Sequence, residues 1–161
     1  MKICTIYHSH SGTTRGVAEK VKAACGGELV EVTLKERHSL PVAYFLGWVR
    51  SMKHGRDPIE PEHIDISGFD CVVIGTPVWG RRPTPAITAA VEGLEGCMGK
   101  KAVLFATCRN AAGDTIPVLA RALEEKGMVV RGQFVFTTHD LEDNEPANVL
   151  ISKVKETGSE F

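Results

Sequence analysis

The sequence has no long apolar run. None of its hydrophobic stretches approaches the length needed to cross a bilayer. The chain opens straight into Ile3-Cys4-Thr5-Ile6, without the basic stretch and extended apolar core of a secretory leader, so none is expected. Neither sign of charge is in excess: 19 basic and 20 acidic residues leave a net charge of -1, with no basic stripe, and nucleic acid is not an expected partner. The five cysteines, Cys4, Cys25, Cys71, Cys97 and Cys108, never fall in Cys-x-x-Cys spacing. That argues against a disulfide framework or a zinc site and for a reducing, cytoplasmic setting. The P-loop pattern GxxxxGK[ST] and the dinucleotide pattern GxGxxG are both missing. A low-molecular-weight phosphatase would need a cysteine opening the first loop, where Tyr7-His8 stands instead.

What remains is an ordinary globular composition, 43% hydrophobic and 24% charged over 161 residues, which predicts one domain spanning 1–161. Its pattern alternates. A first strand is expected over Lys2–Tyr7, then a helix over Thr13–Ala24 with Val17, Val21 and Ala24 on one face, stopped by Gly26-Gly27. Glu28–Leu34 reads as a half-exposed strand near a sheet edge. Ser39–Lys53 has helical periodicity, with Phe45, Trp48, Val49 and Met52 on one stripe and Tyr44 and Trp48 on a second, a possible homodimer face. A polar connection over Arg56–Gly68 follows.

Cys71-Val72-Val73-Ile74 and Ala102-Val103-Leu104-Phe105-Ala106 are continuous apolar runs, the mark of buried parallel strands. Helices are expected over Thr84–Leu94, capped by Thr84 with Pro85 at its first position, over Asp114–Lys126, and over Glu145–Glu156. Met128–Thr137 supplies a fifth strand, and Thr157–Phe161 is expected to fray. Strand-helix alternation of this kind means a parallel α/β sheet with helices on both faces. Right-handed crossovers favour the strand order 2-1-3-4-5, which places a ligand crevice beyond the carboxyl ends of strands one, three and four.

Three loops converge there. The first, Tyr7-His8-Ser9-His10-Ser11-Gly12-Thr13-Thr14, brings hydroxyls and amides to a helix start, where the dipole favours an anion. The second is Gly75-Thr76-Pro77-Val78-Trp79-Gly80-Arg81-Arg82-Pro83, and the third is Cys108-Arg109-Asn110-Ala111-Ala112-Gly113. Ser9-His10-Ser11-Gly12-Thr13-Thr14 resembles the phosphate loop of flavodoxins, and Gly75-Thr76-Pro77-Val78-Trp79 resembles the first flavin-ring loop of flavodoxin-like proteins. The order of elements matches that family over nearly the whole chain.

The resemblance implies a flavodoxin-like doubly wound fold, non-covalent FMN and redox chemistry. It implies that Ser9, Ser11, Thr13 and Thr14 hold the phosphate, with His10 and Gly12 in the same loop. Thr76, Pro77, Val78, Trp79 and Gly80 would border the ring, Trp79 stacking on it and Gly80 free to turn its peptide toward the flavin. Cys108, Arg109, Asn110, Ala111 and Gly113 would cover the other side.

Two departures from electron-carrier flavodoxins stand out. The third loop has no tyrosine to stack on the ring, which would leave one flavin face open. Arg81-Arg82 replaces the acidic shell, and a guanidinium about 6 Å from the ring would ease reduction by roughly 3 kcal/mol at an effective dielectric near 20. These features favour a reductase passing electrons from NAD(P)H or a redox protein to a small acceptor such as a quinone. A one-electron flavodoxin carrier between redox proteins and a non-catalytic flavin-binding module are the alternatives. Cys4 and Cys71 are expected as core residues, and Cys108 as a candidate thiol of the third loop.

Overall fold

The computed structural model describes residues 1–34 and 59–160. Five long parallel strands form one sheet: β1 (Ile3–Tyr7), β2 (Glu28–Glu31), β3 (Cys71–Trp79), β4 (Lys101–Cys108) and β5 (Val129–Thr137). Their spatial order is β5-β4-β3-β1-β2, the predicted 2-1-3-4-5, with β1 and β3 adjacent at the switch point. Between them run α1 (Thr13–Cys25), α2 (Pro85–Glu92) and α3 (Thr115–Glu125), and α4 (Glu145–Ser159) follows β5. The helix expected over 39–53, with its Tyr44/Trp48 stripe, lies outside the described residues.

The period of two along each strand sorts the core into two layers. Cys4 and Ile6, Val72 and Ile74, and Ala102, Leu104 and Ala106 face α2 and α3. Their neighbours Ile3 and Tyr7, Cys71 and Val73, and Val103 and Phe105 face α1 and α4, where Val17, Ala18, Val21, Leu150 and Val154 meet them. Both faces of β1, β3 and β4 are covered, which is why these strands read as unbroken apolar runs rather than alternating ones. Cys4 and Cys71 are fully inside, and burial is the main cause pushing both thiols up to about 12.

Several expectations are corrected. Ala24 is exposed, and Ala18 takes its place on the buried stripe of α1. The second strand leaves the main sheet after Glu31, and Thr33–Leu34 pairs antiparallel with Ile59–Glu60, inside the stretch expected to be connection. Ile64–Asp65 pairs with Leu94–Glu95, ending α2 before Leu94. The last turn does not fray: Thr157 and Gly158 are buried and α4 runs on to Ser159, with Gly158 packed so closely on Met1 that a Cβ there would lie 2.1 Å from its Sδ. The largest correction concerns Gly75–Pro83. It is not a loop: β3 continues through it to Trp79, turns at Gly80-Arg81, and returns as Arg82–Pro83 paired with Val78–Trp79.

Candidate functional site

The carboxyl ends of β1, β3 and β4 meet as expected, and three connections rise from them. In the first, the His8 amide donates to the Gly75 carbonyl at 3.3 Å, carrying the β1–β3 pairing one residue past the strand. A helix leaves four amides without intrahelical acceptors at its start. At α1 two of these, from Gly12 and Arg15, donate to Ser9 Oγ at 3.1 and 3.3 Å. The amides of Thr13 and Thr14 are left, because the N-cap residue is Gly12, at φ 94, which has no side chain to reach them. A Cβ added to Gly12 would meet nothing within 4 Å, so the space over the loop is open. The hydroxyls of Ser11 and Thr13 lie 3.1 Å apart at the exposed mouth.

The Thr14 hydroxyl is used elsewhere: it is buried and bonded to Thr107 Oγ1 at 2.8 Å, tying the loop to β4. Of the four predicted phosphate hydroxyls, Ser9 shapes the loop and Thr14 anchors it, while Ser11 and Thr13 face outward. Arg15 is also engaged, by Glu31 and by the Tyr7 hydroxyl. The loop therefore offers an anion neutral donors and a helix terminus.

The second connection is the hairpin that extends β3, and its base is a chain of buried hydroxyls. Thr76 Oγ1 donates to the Pro77 carbonyl at 2.8 Å and accepts from the Thr84 amide at 3.2 Å. Thr84 Oγ1 accepts from the Ile87 amide as the cap of α2, and lies 2.9 Å from His8 Nδ1. In the neutral ring Nδ1 accepts from the Thr84 hydroxyl when the proton sits on Nε2, and donates to it when the proton sits on Nδ1. Burial, first, and then the neighbouring His10 lower the His8 pKa, with Glu31 opposing, so the neutral ring is the favoured form. Thr76 is fully buried, so its side chain braces the hairpin from within.

Trp79 is 41% exposed, and two imidazoles stand edge-on to it, His8 at 5.7 Å and 79° and His10 at 5.6 Å and 82°. The indole is thus propped between the first and second connections. Beyond it Gly80 and Arg81 have φ of 56 and 66. Two successive positive φ values in a two-residue hairpin make a type I′ turn, whose twist suits the flanking strands. Glycine adopts this freely; an arginine does so at a cost of about 1 kcal/mol.

Arg81 is held there by the third connection. The Asp114 amide donates to the Arg81 carbonyl at 2.9 Å, and Gly113, at φ 56, packs so closely that a Cβ on it would lie 2.5 Å from Arg81 Cβ. In the same connection Arg109, Asn110 and Ala111 are exposed. The half-buried Cys108 thiol points at the Phe136 carbonyl, 3.8 Å away, and its pKa is raised by burial first and by Asp140 second. That keeps it a protonated thiol rather than a nucleophile. His8, Thr84 and Thr107 lie in or at the edge of the predicted loops, but the sequence assigned none of them a role in the site. Thr84 was visible only as a helix cap, and the other two carried no local signal.

A family model described as NADPH-dependent FMN reductase matches residues 1–143. The chain belongs to that family. No curated protein sequence matches it significantly. Among solved structures it is similar to a protein from Bacteroides eggerthii DSM 20697 described as a flavoprotein, with 23% identity and a TM-score of 0.71 over 96% of this chain and 98% of that one. It is also similar to a flavoprotein in complex with FMN from Lactobacillus acidophilus NCFM, with 19% identity and a TM-score of 0.65 over 92% and 97%. The two-electron reduced flavodoxin of Megasphaera elsdenii shares the fold as well, with 17% identity and a TM-score of 0.59 over 95% and 98%.

The fold is flavodoxin-like and the cofactor is FMN. The residues present fit that group. Open space over Gly12, two first-turn amides without helical acceptors and two outward hydroxyls suit a phosphate, and a half-exposed indole beside them suits a planar ring. Among the described residues no helix is long and apolar enough to cross a membrane.

Proposed function

We propose that the protein is an FMN-dependent reductase that takes electrons from NAD(P)H and passes them to a small acceptor such as a quinone. When bound, FMN would supply the redox chemistry, a two-electron transfer between the reduced nicotinamide and the acceptor. The chain's part is to hold and orient it. In this reading the Thr13 and Thr14 amides and the Ser11 and Thr13 hydroxyls bind the phosphate, with Ser9 setting the loop's curvature. Pro77, Val78, Trp79 and Gly80 border the ring, and the backbone of Cys108–Gly113 closes its other side. Five unpaired cysteines favour a cytoplasmic site of action.

One observation carries the enzyme reading over the carrier: the ring-bordering segment is a braced hairpin whose tip is pinned to the Asp114 amide. A one-electron carrier profits from a peptide near Gly80 that can turn as the flavin changes state, whereas here the Arg81 carbonyl is bonded to Asp114 and the flanking Trp79 and Arg82 are paired. The fold itself is equally that of flavodoxins, so a direct test is needed. FMN-loaded protein is mixed anaerobically with NADPH, and the oxidised flavin absorption is followed. Bleaching within a turnover time of seconds, with recovery on adding a quinone, is the expected result. A flavin that stays oxidised in NADPH yet reduces readily with dithionite would identify the carrier.

A further inference from the structure

Arg81 stands where a hairpin ordinarily has glycine or asparagine. Its φ of 66 makes it the one non-glycine residue with positive φ among those described. Nothing in the packing asks for the guanidinium: the residue is exposed, and among the described residues the side chain has no ion-pair partner. The backbone is what the structure grips, through the Asp114 amide at 2.9 Å and the close approach of Gly113. A side chain kept in strained backbone, with its main chain clamped from two sides and its charge unspent, is the pattern of a functional residue.

The charges around it agree. The stretches 7–14, 75–84 and 108–113 contain no Asp or Glu, yet carry Arg81, Arg82 and Arg109 on a chain whose net charge is -1. Nearby carboxylates are already engaged: Glu31 by Arg15, and Asp140 by the amide and hydroxyl of Thr137 at 2.7 and 2.8 Å. Asp114 follows at the start of α3, where the helix dipole offsets it. Cations gathered at one rim of a near-neutral protein focus its field there and draw anions in. A guanidinium's planar fork suits a phosphate or carboxylate with two oxygens in reach.

We propose that Arg81 is the anion-recognition residue of the second-substrate site, with Arg82 and Arg109 supplying the surrounding field. The substrate meeting the flavin there carries a phosphate or a carboxylate. This rests on the reductase reading for the presence of a second substrate, though not for its identity. Two sources of the anion are distinguishable: the 2′-phosphate of a nicotinamide dinucleotide, or an acidic group on the acceptor.

The test uses the FMN-loaded protein and the variants Arg81→Asn, which tolerates the left-handed turn without the charge, and Arg81→Lys, which keeps the charge without the fork. Melting temperature and FMN affinity are measured first, and both are expected to match the parent in Arg81→Asn. NADP+ and NAD+ are then titrated against the flavin spectrum. A tenfold or greater loss of NADP+ affinity in Arg81→Asn, with NAD+ unchanged and Arg81→Lys intermediate, assigns the guanidinium to the 2′-phosphate.

In the second arm, dithionite-reduced protein is reoxidised by a sulfonated and by a neutral quinone. A tenfold slower reaction in Arg81→Asn with the sulfonated quinone alone assigns it to the acceptor. This arm needs no nicotinamide, so a protein that ignores NADPH would refute the donor in the reductase reading and still test Arg81. Equal behaviour of parent and Arg81→Asn in both arms overturns the proposal, as does loss of FMN binding in that variant, which would make Arg81 a residue of the cofactor's own site.

Discussion

Gly12 and Gly113 have left-handed backbone in common, at φ 94 and 56, but not surroundings: a Cβ meets nothing near Gly12 and strikes Arg81 at 2.5 Å from Gly113. Gly12→Ala should therefore cost only the backbone term, about 1 kcal/mol. Gly113→Ala should cost that and about 1–3 kcal/mol more for overpacking. Urea unfolding measures both. FMN affinity should fall in Gly113→Ala because the displaced neighbour is the hairpin tip. Equal losses in the two variants would mean that the close approach is not a clamp.

His8 gives a second prediction at this scale. Its pKa in the fold is lowered from 6.5, chiefly by burial. Above that value it is neutral folded and unfolded and contributes no pH dependence. As pH falls below it, the unfolded chain takes up the proton first and the folded state loses ground, until the folded ring protonates too. Stability should thus decline as pH falls below about 6.5, and His8→Gln should flatten that slope in denaturant melts. Neither feature was legible in advance. A backbone angle such as Arg81's leaves no mark in composition, and His8 became a buried partner of Thr84 only once β1 and β3 were side by side.

Between residue and molecule, the strands and helices were mostly legible, because double burial writes unbroken apolar runs and single burial writes helical stripes. Pro85 after Thr84 gave the start of α2 to the residue. The reading failed at Gly75–Pro83. Its glycines and prolines have the composition of a loop, yet β4 lies along it through Pro77 and the chain supplies its own return strand. A proline at Pro77 loses only one amide, and turn residues at Gly80-Arg81 belong to hairpins as much as to loops.

Thr84 joins these elements, capping α2 while bonding His8 and receiving support from Thr76 through its own amide. Thr84→Ala should cost about 1–2 kcal/mol as a lost cap. It should also weaken FMN binding several-fold by loosening the hairpin against the first loop, as read by flavin fluorescence titration. Thr84→Ser keeps the hydroxyl and should restore most of both. A Thr84→Ala variant that lost stability but bound FMN normally would show that the cap matters only to the helix.

For the molecule as a whole, the fold assembles a binding site from three separate segments of the chain, tied by bonds that span 93 residues at Thr14–Thr107 and 76 at His8–Thr84. A ligand that bridges them stabilises the native state by mass action, about 2.7 kcal/mol at a concentration 100 times its Kd. For a chain of this size that corresponds to a rise in Tm of about 5–10 °C. FMN should produce that rise. Riboflavin has the same ring without the phosphate, so at the same concentration it keeps the hairpin contacts and forfeits the amides of Thr13 and Thr14. Its shift should be less than half that of FMN. Inorganic phosphate alone engages only the first loop, and should give a small rise that competes with FMN. If riboflavin stabilises the protein as much as FMN does, the free amides at the start of α1 are an ordinary helix end, and the phosphate lies elsewhere. If neither shifts the melt, the three connections do not form a flavin site at all.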